Sequence, residues 1–341
     1  MKALVYRGPR SLVLEEVARP EPAAQEVLIR VAATGICGSD VHGYLGLTGR
    51  RIPPLIMGHE FCGTVEELGS GVEGFRAGDR VVIEPVIPCG ACSFCREGQT
   101  NLCPGRRSFG VMEFNGSMAE LVAVPARLLH RMPDGLSPAM GAMVEPLAVA
   151  HRAVSRVGTL VAGNTVLVVG AGTIGLLILA LAKLRHPRRV LVSDLNERRL
   201  ALARSLGADV ILHPSRGSVV DAVRESSDGQ GADISFEAVG ASATVEQALA
   251  CVRPGGTCVW VGNSQREINL DMQRVVTREL GVLGSYIYTS EQFGEAIGLL
   301  ARGEIDAERV ISCRAPLDRG PELFAALSEP DTELVKVILE S

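Results

Sequence analysis

Two rhythms of apolar and polar positions divide the chain. From about residue 165 onward, short continuous apolar runs alternate with stretches at helical spacing. TVLVVG at 165–170 is a β-branched run ending in glycine, the mark of a strand buried on both faces. A helix-compatible stretch follows through Lys183. Next come RVLVSD at 189–194, a helix to Leu206 stopped by Gly207, and ADVILHP at 208–214. ADISFEAVG, GTCVWVG and VLGSYIY supply three further strands, each separated from its neighbour by a helix-compatible segment. Alternation of this kind predicts an α/β domain with a doubly wound parallel sheet.

The first 150 residues keep a different rhythm. VLIRVAATGIC, HEFCGTVEELG and DRVVIEP are short β-patterned segments between turns containing Gly and Pro, which predicts a mostly β domain. The last fifty residues mix a helix at 291–301 with a strand at 333–339, and pattern alone assigns them to neither domain.

Composition changes this picture little. A length of 341 residues suits two domains with sizeable cores, and 47% hydrophobic with 21% charged residues describes a soluble globular chain. A net charge of −5 argues against broad nucleic-acid or anionic-membrane binding. The arginine pairs at 50–51, 106–107 and 188–189 read as solvated surface. No signal peptide is visible at the start, and the most apolar segment, 174–182, is too short to cross a bilayer. The expected location is the cytoplasm, where disulfides are not expected.

Candidate chemistry gathers in three places. PCGACSFCREGQTNLC, at 88–103, packs Cys89, Cys92, Cys95 and Cys103 into one loop. Their x2, x2, x7 spacing suits one tetrahedral zinc, and four thiolates leave no position for substrate, so the site would be structural. GICGSDVH holds Cys37, Ser39, Asp40 and His42, and MGHE adds His59 and Glu60. Cys37, His59 and Glu60 could give a second zinc three ligands and one open position, the pattern of a catalytic metal. EPLAVAHRA contributes Glu145, a further carboxylate. Singly these residues have plainer readings, as a core thiol, a satisfied histidine or a helix start.

GAGTIG at 170–175 follows a strand and opens a helix. Gly170 would allow the tight turn, Gly172 the approach of a pyrophosphate, and Gly175 close helix–strand packing. Asp194, ending the next strand, would take the adenosine ribose hydroxyls and repel a 2′-phosphate, which favours NAD over NADP. Arg198 and Arg199 lie close enough in sequence to soften that preference.

Together these motifs resemble the zinc-dependent medium-chain dehydrogenase/reductase superfamily over essentially the whole chain. The resemblance rests on GICGSDVH, GHEFCGTVEELGSGVEGFRAGDRVV, the four-Cys loop, EPLAVAHRA, GAGTIG and SDLNERRLALARSLGAD. It implies a GroES-like mostly-β catalytic domain at 1–147, carrying a zinc lobe at about 86–106. A Rossmann domain at 148–285 and a C-terminal segment at 286–341 that rejoins the catalytic domain would follow, with the active site in the interdomain cleft. It implies two Zn²⁺ per subunit, NAD, and assembly as a homodimer or homotetramer. By similarity Ser39 would take the substrate's hydroxyl proton and pass it through the cofactor ribose to His42, while Asp40 orients the zinc ligands. Thr173, Ile174, Val239, Val261 and Gly262 would join the glycine loop in holding the cofactor, and Arg199 would help hold the ribose.

Glu145 stands where polyol-type members carry a carboxylate near the metal. The expected reaction is therefore oxidation of a secondary hydroxyl of a polyol or sugar-derived alcohol to a ketone. Alternatives are a 2,3-butanediol-type, L-threonine or polyol-phosphate dehydrogenase, and more remotely a non-catalytic zinc- or nucleotide-binding scaffold. Two departures bear on substrate. Ile287 stands where animal-type sorbitol dehydrogenases carry an arginine, and Gly43 where an aromatic follows the relay histidine. Arg50 and Arg51 leave a sugar-phosphate open, beside their reading as exposed charges.

Overall fold

Eleven residues from Glu26 to Ile36 form the strand on which the first unit is built. One side of it pairs antiparallel with Glu60–Leu68 along its whole length. The other side is shared: Leu121–Pro125 pairs with its first half and Lys336–Glu340 with its second. Arg80–Ile83, Leu129–Arg131 and Ile311–Pro316 complete a seven-stranded sheet. Strands this central must be apolar on both faces, and Val27, Leu28, Ile29 and Val31 are all buried. A three-stranded sheet of Ser11–Glu16, Lys2–Gly8 and Leu55–Ile56 shares one core cluster with Tyr44 and Phe324 and with Ile36, Val337 and Leu339 of the main sheet.

The computed structural model describes residues 1–158 and 160–340; Thr159 and Ser341 lie outside the described residues. The chain divides into Met1–Glu145 with Thr289–Ser341, and Pro146–Tyr288. The tail, which pattern alone left unassigned, is therefore part of the first unit's main sheet, inserted as Lys336–Glu340 rather than 333–339.

The second unit is a six-stranded sheet in the order Val210–Leu212, Arg189–Ser193, Thr165–Val169, Ala232–Glu237, Val252–Trp260, Gly281–Gly284. Every pairing in it is parallel, as the unbroken apolar runs imply. The first strand in sequence, Thr165–Val169, lies in the middle and is buried along its length. Strand order reverses between it and Ala232–Glu237, which makes a crevice at their carboxyl ends, where such sheets bind dinucleotides. The expected strand VLGSYIY is shorter than its apolar pattern suggests: it ends at Gly284, and Ile287 sits at φ 52°, outside strand geometry.

Candidate functional site

Three strand ends meet at one edge of the first unit's sheet. Glu26–Ile36 finishes there, while Glu60–Leu68 and Lys336–Glu340 begin there, with Gly35 opposite Glu60 and Ile36 opposite Val337. Cys37 follows Ile36 and starts the helix Gly38–Tyr44 from an extended backbone. His59 immediately precedes Glu60. Register thus brings Cys37, His59 and Glu60 together, and one ligand atom from each lies within 4.8 Å of the others. Gly35 is needed for this: a Cβ there would meet Glu60 Oε2 at 2.2 Å, so the carboxylate crosses over a strand position without a side chain.

The site holds more acidic groups than basic ones: Cys37, Asp40, Glu60 and Glu145 stand against Lys336 and Arg51. Burial, reinforced by Glu60 and Asp40, pushes the Cys37 thiol up to about 11. Burial also pushes Glu145 up to about 8; Glu60 and Cys37 add to the rise while His59 opposes it. A thiol, an imidazole and two buried carboxyl groups in one place form the donor set of a divalent transition metal, whose charge would favour their ionised forms. Asp40 Oδ1 lies 3.5 Å from His59 Nδ1, which has no hydrogen-bond partner among the described residues, so Asp40 is the carboxylate within closest reach of the ring.

Lys336 is the participant that motif reading missed. It is 1% exposed, its Nζ pairs with Glu60 Oε2, and the same Nζ donates to Ile36 O at 3.2 Å. Burial works to lower its pKa, but Glu60 and Cys37 together hold it above the ordinary value. Its only trace in the sequence is a lysine inside the apolar run LVKVIL.

Arg51 requires a correction. It is not a solvated charge: it is 7% exposed, and its Nη2 donates to Asp40 Oδ1 at 2.8 Å and to Ser39 Oγ at 3.3 Å. A buried guanidinium needs a carboxylate partner, and the motif GSD supplies one. Ser39 and His42 lie three residues apart on the helix Gly38–Tyr44, hence on one face; Ser39 is exposed and His42 half-buried. Burial lowers the His42 pKa, keeping the ring neutral and able to accept a proton near neutral pH. Tyr44 does not replace the aromatic absent at Gly43. It points into the core, 5.5 Å from the Phe324 ring.

Cys89, Cys92, Cys95 and Cys103 form a second group of ligand atoms within 4.8 Å of one another. The Cys92–Cys95 and Cys89–Cys95 sulfur separations are 3.5 and 3.9 Å. A tetrahedron with Zn–S bonds of about 2.3 Å has an edge of about 3.8 Å, so these thiols already stand at metal-site spacing. None is in a disulfide. Backbone N–H groups of Ala91 and Cys92 bring the Cys89 thiol down to about 6, whereas burial and Cys92 push Cys95 up to about 12, so a bound cation would be needed to ionise the whole set.

In the second unit, Gly170, Gly172, Thr173, Ile174 and Gly175 form the turn after Thr165–Val169 and the start of the helix Thr173–Lys183. Gly170 has φ 98°, and a Cβ at Gly175 would stand 1.8 Å from Gly170 O, so the turn and close packing both need glycine. A Cβ at Gly172 would meet nothing within 4 Å, so its bare backbone faces open space at the helix N-terminus, where an anion can approach. Asp194 Oδ2 accepts from Ala171 N–H at 2.6 Å and its Oδ1 from Asn196 N–H at 2.8 Å. The carboxylate that would read the ribose is thereby tied to the glycine turn. Arg199 lies in the first turn of the helix Glu197–Ser205, its N–H donating to Asn196 Oδ1 at 3.1 Å. Val239, Val261 and Gly262 follow the carboxyl ends of the next two strands. Glu237, which motif reading passed over, organises them: Oε1 accepts from Val239 and Gly240 N–H, and its backbone carbonyl from Val261 and Gly262.

Comparison with known proteins places this chain among zinc-type dehydrogenases. The family model for the alcohol dehydrogenase GroES-like domain matches residues 23–134, and the model for zinc-binding dehydrogenases matches residues 173–302. The chain is 36% identical to a D-arabitol-phosphate dehydrogenase of Enterococcus avium, covering 100% of this chain and 97% of that protein. It is 32% identical to a sorbitol dehydrogenase of Bacillus subtilis, over 99% of this chain and 97% of the relative. A solved structure of a zinc-binding dehydrogenase from Sinorhizobium meliloti bound to NADP superposes with a TM-score of 0.91 at 35% identity, covering 100% and 99% of the two chains. Among the described residues no helix is long and apolar enough to cross a membrane. With a GroES-like unit bearing a Cys–His–Glu cluster and a Rossmann unit bearing a glycine turn, the chain belongs to the zinc-type alcohol dehydrogenase family, in its medium-chain, polyol-dehydrogenase-like branch.

Proposed function

We propose that this chain oxidises a secondary hydroxyl of a polyol or sugar-derived alcohol to a ketone, with NAD as the acceptor. The single observation that carries the proposal is the convergence of Cys37, His59 and Glu60, an incomplete ligand set, with the Glu145 carboxyl beside them. When bound, zinc supplies the Lewis acidity that makes a hydroxyl proton easier to lose, and NAD supplies the hydride acceptor. The chain's own residues do the rest. Ser39 accepts the hydroxyl proton and His42, neutral and half-buried on the same helix face, carries it to solvent. Asp40 orients His59, and Lys336 balances the charge of Glu60. Gly172 and the helix N-terminus receive a pyrophosphate, and Asp194 receives the ribose hydroxyls. Four thiolates at Cys89, Cys92, Cys95 and Cys103 hold the structural zinc. NAD is preferred because the 2′-phosphate of NADP would stand against the Asp194 carboxylate.

A polyol phosphate is the second reading, favoured by the arabitol-phosphate relative. Against it, the Arg51 charge is already matched by Asp40, and only Arg50 remains exposed. Self-association as a dimer or tetramer accompanies the proposal, supported by exposed Leu270, Met272 and Val276. The test is NADH formation at alkaline pH across hexitols, pentitols, vicinal diols, polyol phosphates and L-threonine, with chelator-treated controls. Chelator-sensitive turnover of a polyol, abolished by Cys37→Ala or His59→Ala, is expected. Full activity in either variant, or turnover of L-threonine alone, would overturn the proposal.

A further inference from the structure

We propose that Arg51 is a positioning residue for the metal centre and the proton relay, and that Gly43 is glycine in order to admit it. The inference rests on the zinc assignment made above for Cys37, His59 and Glu60. The Arg51 backbone is pinned: Met112 N–H donates to Arg50 O at 2.8 Å, Ile52 N–H donates to Met112 O at 3.2 Å, and Arg51 bridges Met112. From that anchor the side chain runs inward across Gly43, where a Cβ would stand 2.3 Å from Arg51 Cγ. Gly43 lies inside the helix Gly38–Tyr44 and is absent from the glycines with positive φ. Its backbone does not require glycine, and alanine would suit a helix better by about 1 kcal/mol. The passage of the arginine stem accounts for a residue that local propensity disfavours.

At its end the guanidinium does two things at once. Nη2 donates to Asp40 Oδ1 at 2.8 Å and to Ser39 Oγ at 3.3 Å. Asp40 is fully buried; its Oδ1 also faces His59 Nδ1 at 3.5 Å and its Oδ2 accepts from Cys37 N–H at 3.3 Å. One carboxylate therefore touches the ring of one metal-site residue and the backbone of another, and Arg51 is the group that holds it in that orientation. Guanidinium has no acceptor, so Ser39 Oγ must accept from it and keeps its own hydrogen to donate elsewhere. Arg51 thereby sets the direction in which Ser39 can pass a proton. With its charge neutralised by Asp40, it is a clamp and not a recognition site for an anionic substrate.

The experiment uses the zinc-loaded full chain and follows release of each zinc to an excess chelator. Arg51→Met, Arg51→Lys, Gly43→Ala and the double variant Arg51→Met/Gly43→Ala are compared. The four-Cys zinc is an internal control in each. Arg51→Met is expected to release the non-lobe zinc about 10–100-fold faster and to lose about as much in kcat with KM little changed. Arg51→Lys should recover part of both. Gly43→Ala should move both in the same direction while retaining the charge, because its methyl displaces the arginine stem. The double variant should behave as Arg51→Met alone, since the two changes act on one clamp. Wild-type release rates in Arg51→Met, or independent additive effects of the two substitutions, would overturn the role. Wild-type protein that holds only the lobe zinc would overturn the zinc assignment itself, and with it this role for Arg51.

Discussion

Replacing Lys336 by methionine removes the ammonium while keeping most of its apolar stem. Lys336 and Glu60 have side chains only 1% and 2% exposed, and Nζ also donates to Ile36 O at 3.2 Å. Removing one partner of such a pair leaves an uncompensated buried charge, a loss of about 3–5 kcal/mol. In a unit of this size, each kcal/mol lowers the melting temperature by about 2–4 °C, so chelator-treated Lys336→Met should melt about 6–20 °C lower. The loss belongs to the stranded charge, not to the pair as such. Adding Glu60→Gln should therefore restore most of it. Zinc loading should shrink the deficit, because a dication beside Glu60 does the same electrostatic work as the ammonium. Calorimetry that resolves the two units, with and without zinc, measures all three quantities. A chelator-treated single variant within 2 °C of wild type, or a double variant no more stable than the single, would refute the role assigned to Lys336.

Gly175→Ala places a methyl 1.8 Å from Gly170 O; overpacking of this kind costs about 1–3 kcal/mol. Titration of NADH fluorescence should show weaker cofactor binding with both zincs retained. Glu145→Gln tests the raised carboxyl. Its folded value near 8 lies above the usual 4.5, so chelator-treated wild type loses stability as pH rises between those values, whereas the glutamine variant does not. Urea melts at pH 4.5 and 8 should diverge in favour of the variant at the higher pH, and parallel behaviour would refute the shift. Cys95→Ser should lower bound zinc from about two per subunit to about one and lower the melting temperature, with Cys37 and His59 still able to hold metal; unchanged zinc content would count against the lobe site.

Much of the cofactor unit is legible locally. Parallel strands buried on both faces must be continuous apolar runs, and a helix that packs close to its preceding turn must carry glycine at Gly175. The apolar run at 282–288 misled because hydrophobicity continues after the strand ends; Ile287 turns into the left-handed region instead. The four-Cys loop was equally plain, since all its ligands lie within fifteen residues of chain.

The sequence by itself determined most of the elements, the glycine turn and the donor types at Cys37, His59, Glu60 and Glu145, because strand runs, turn glycines and ligand chemistry are properties of short segments. It could not pair Lys336 with Glu60 or bury Arg51. Those contacts join residues 276 and 11 positions apart, and they depend on sheet register and on a side chain passing over Gly43. A lysine or arginine reads as surface until the fold supplies a carboxylate within reach. Tertiary structure alone decided which charges are buried, because the free energy that settles it is desolvation against pairing, and both terms exist only once the chain is packed.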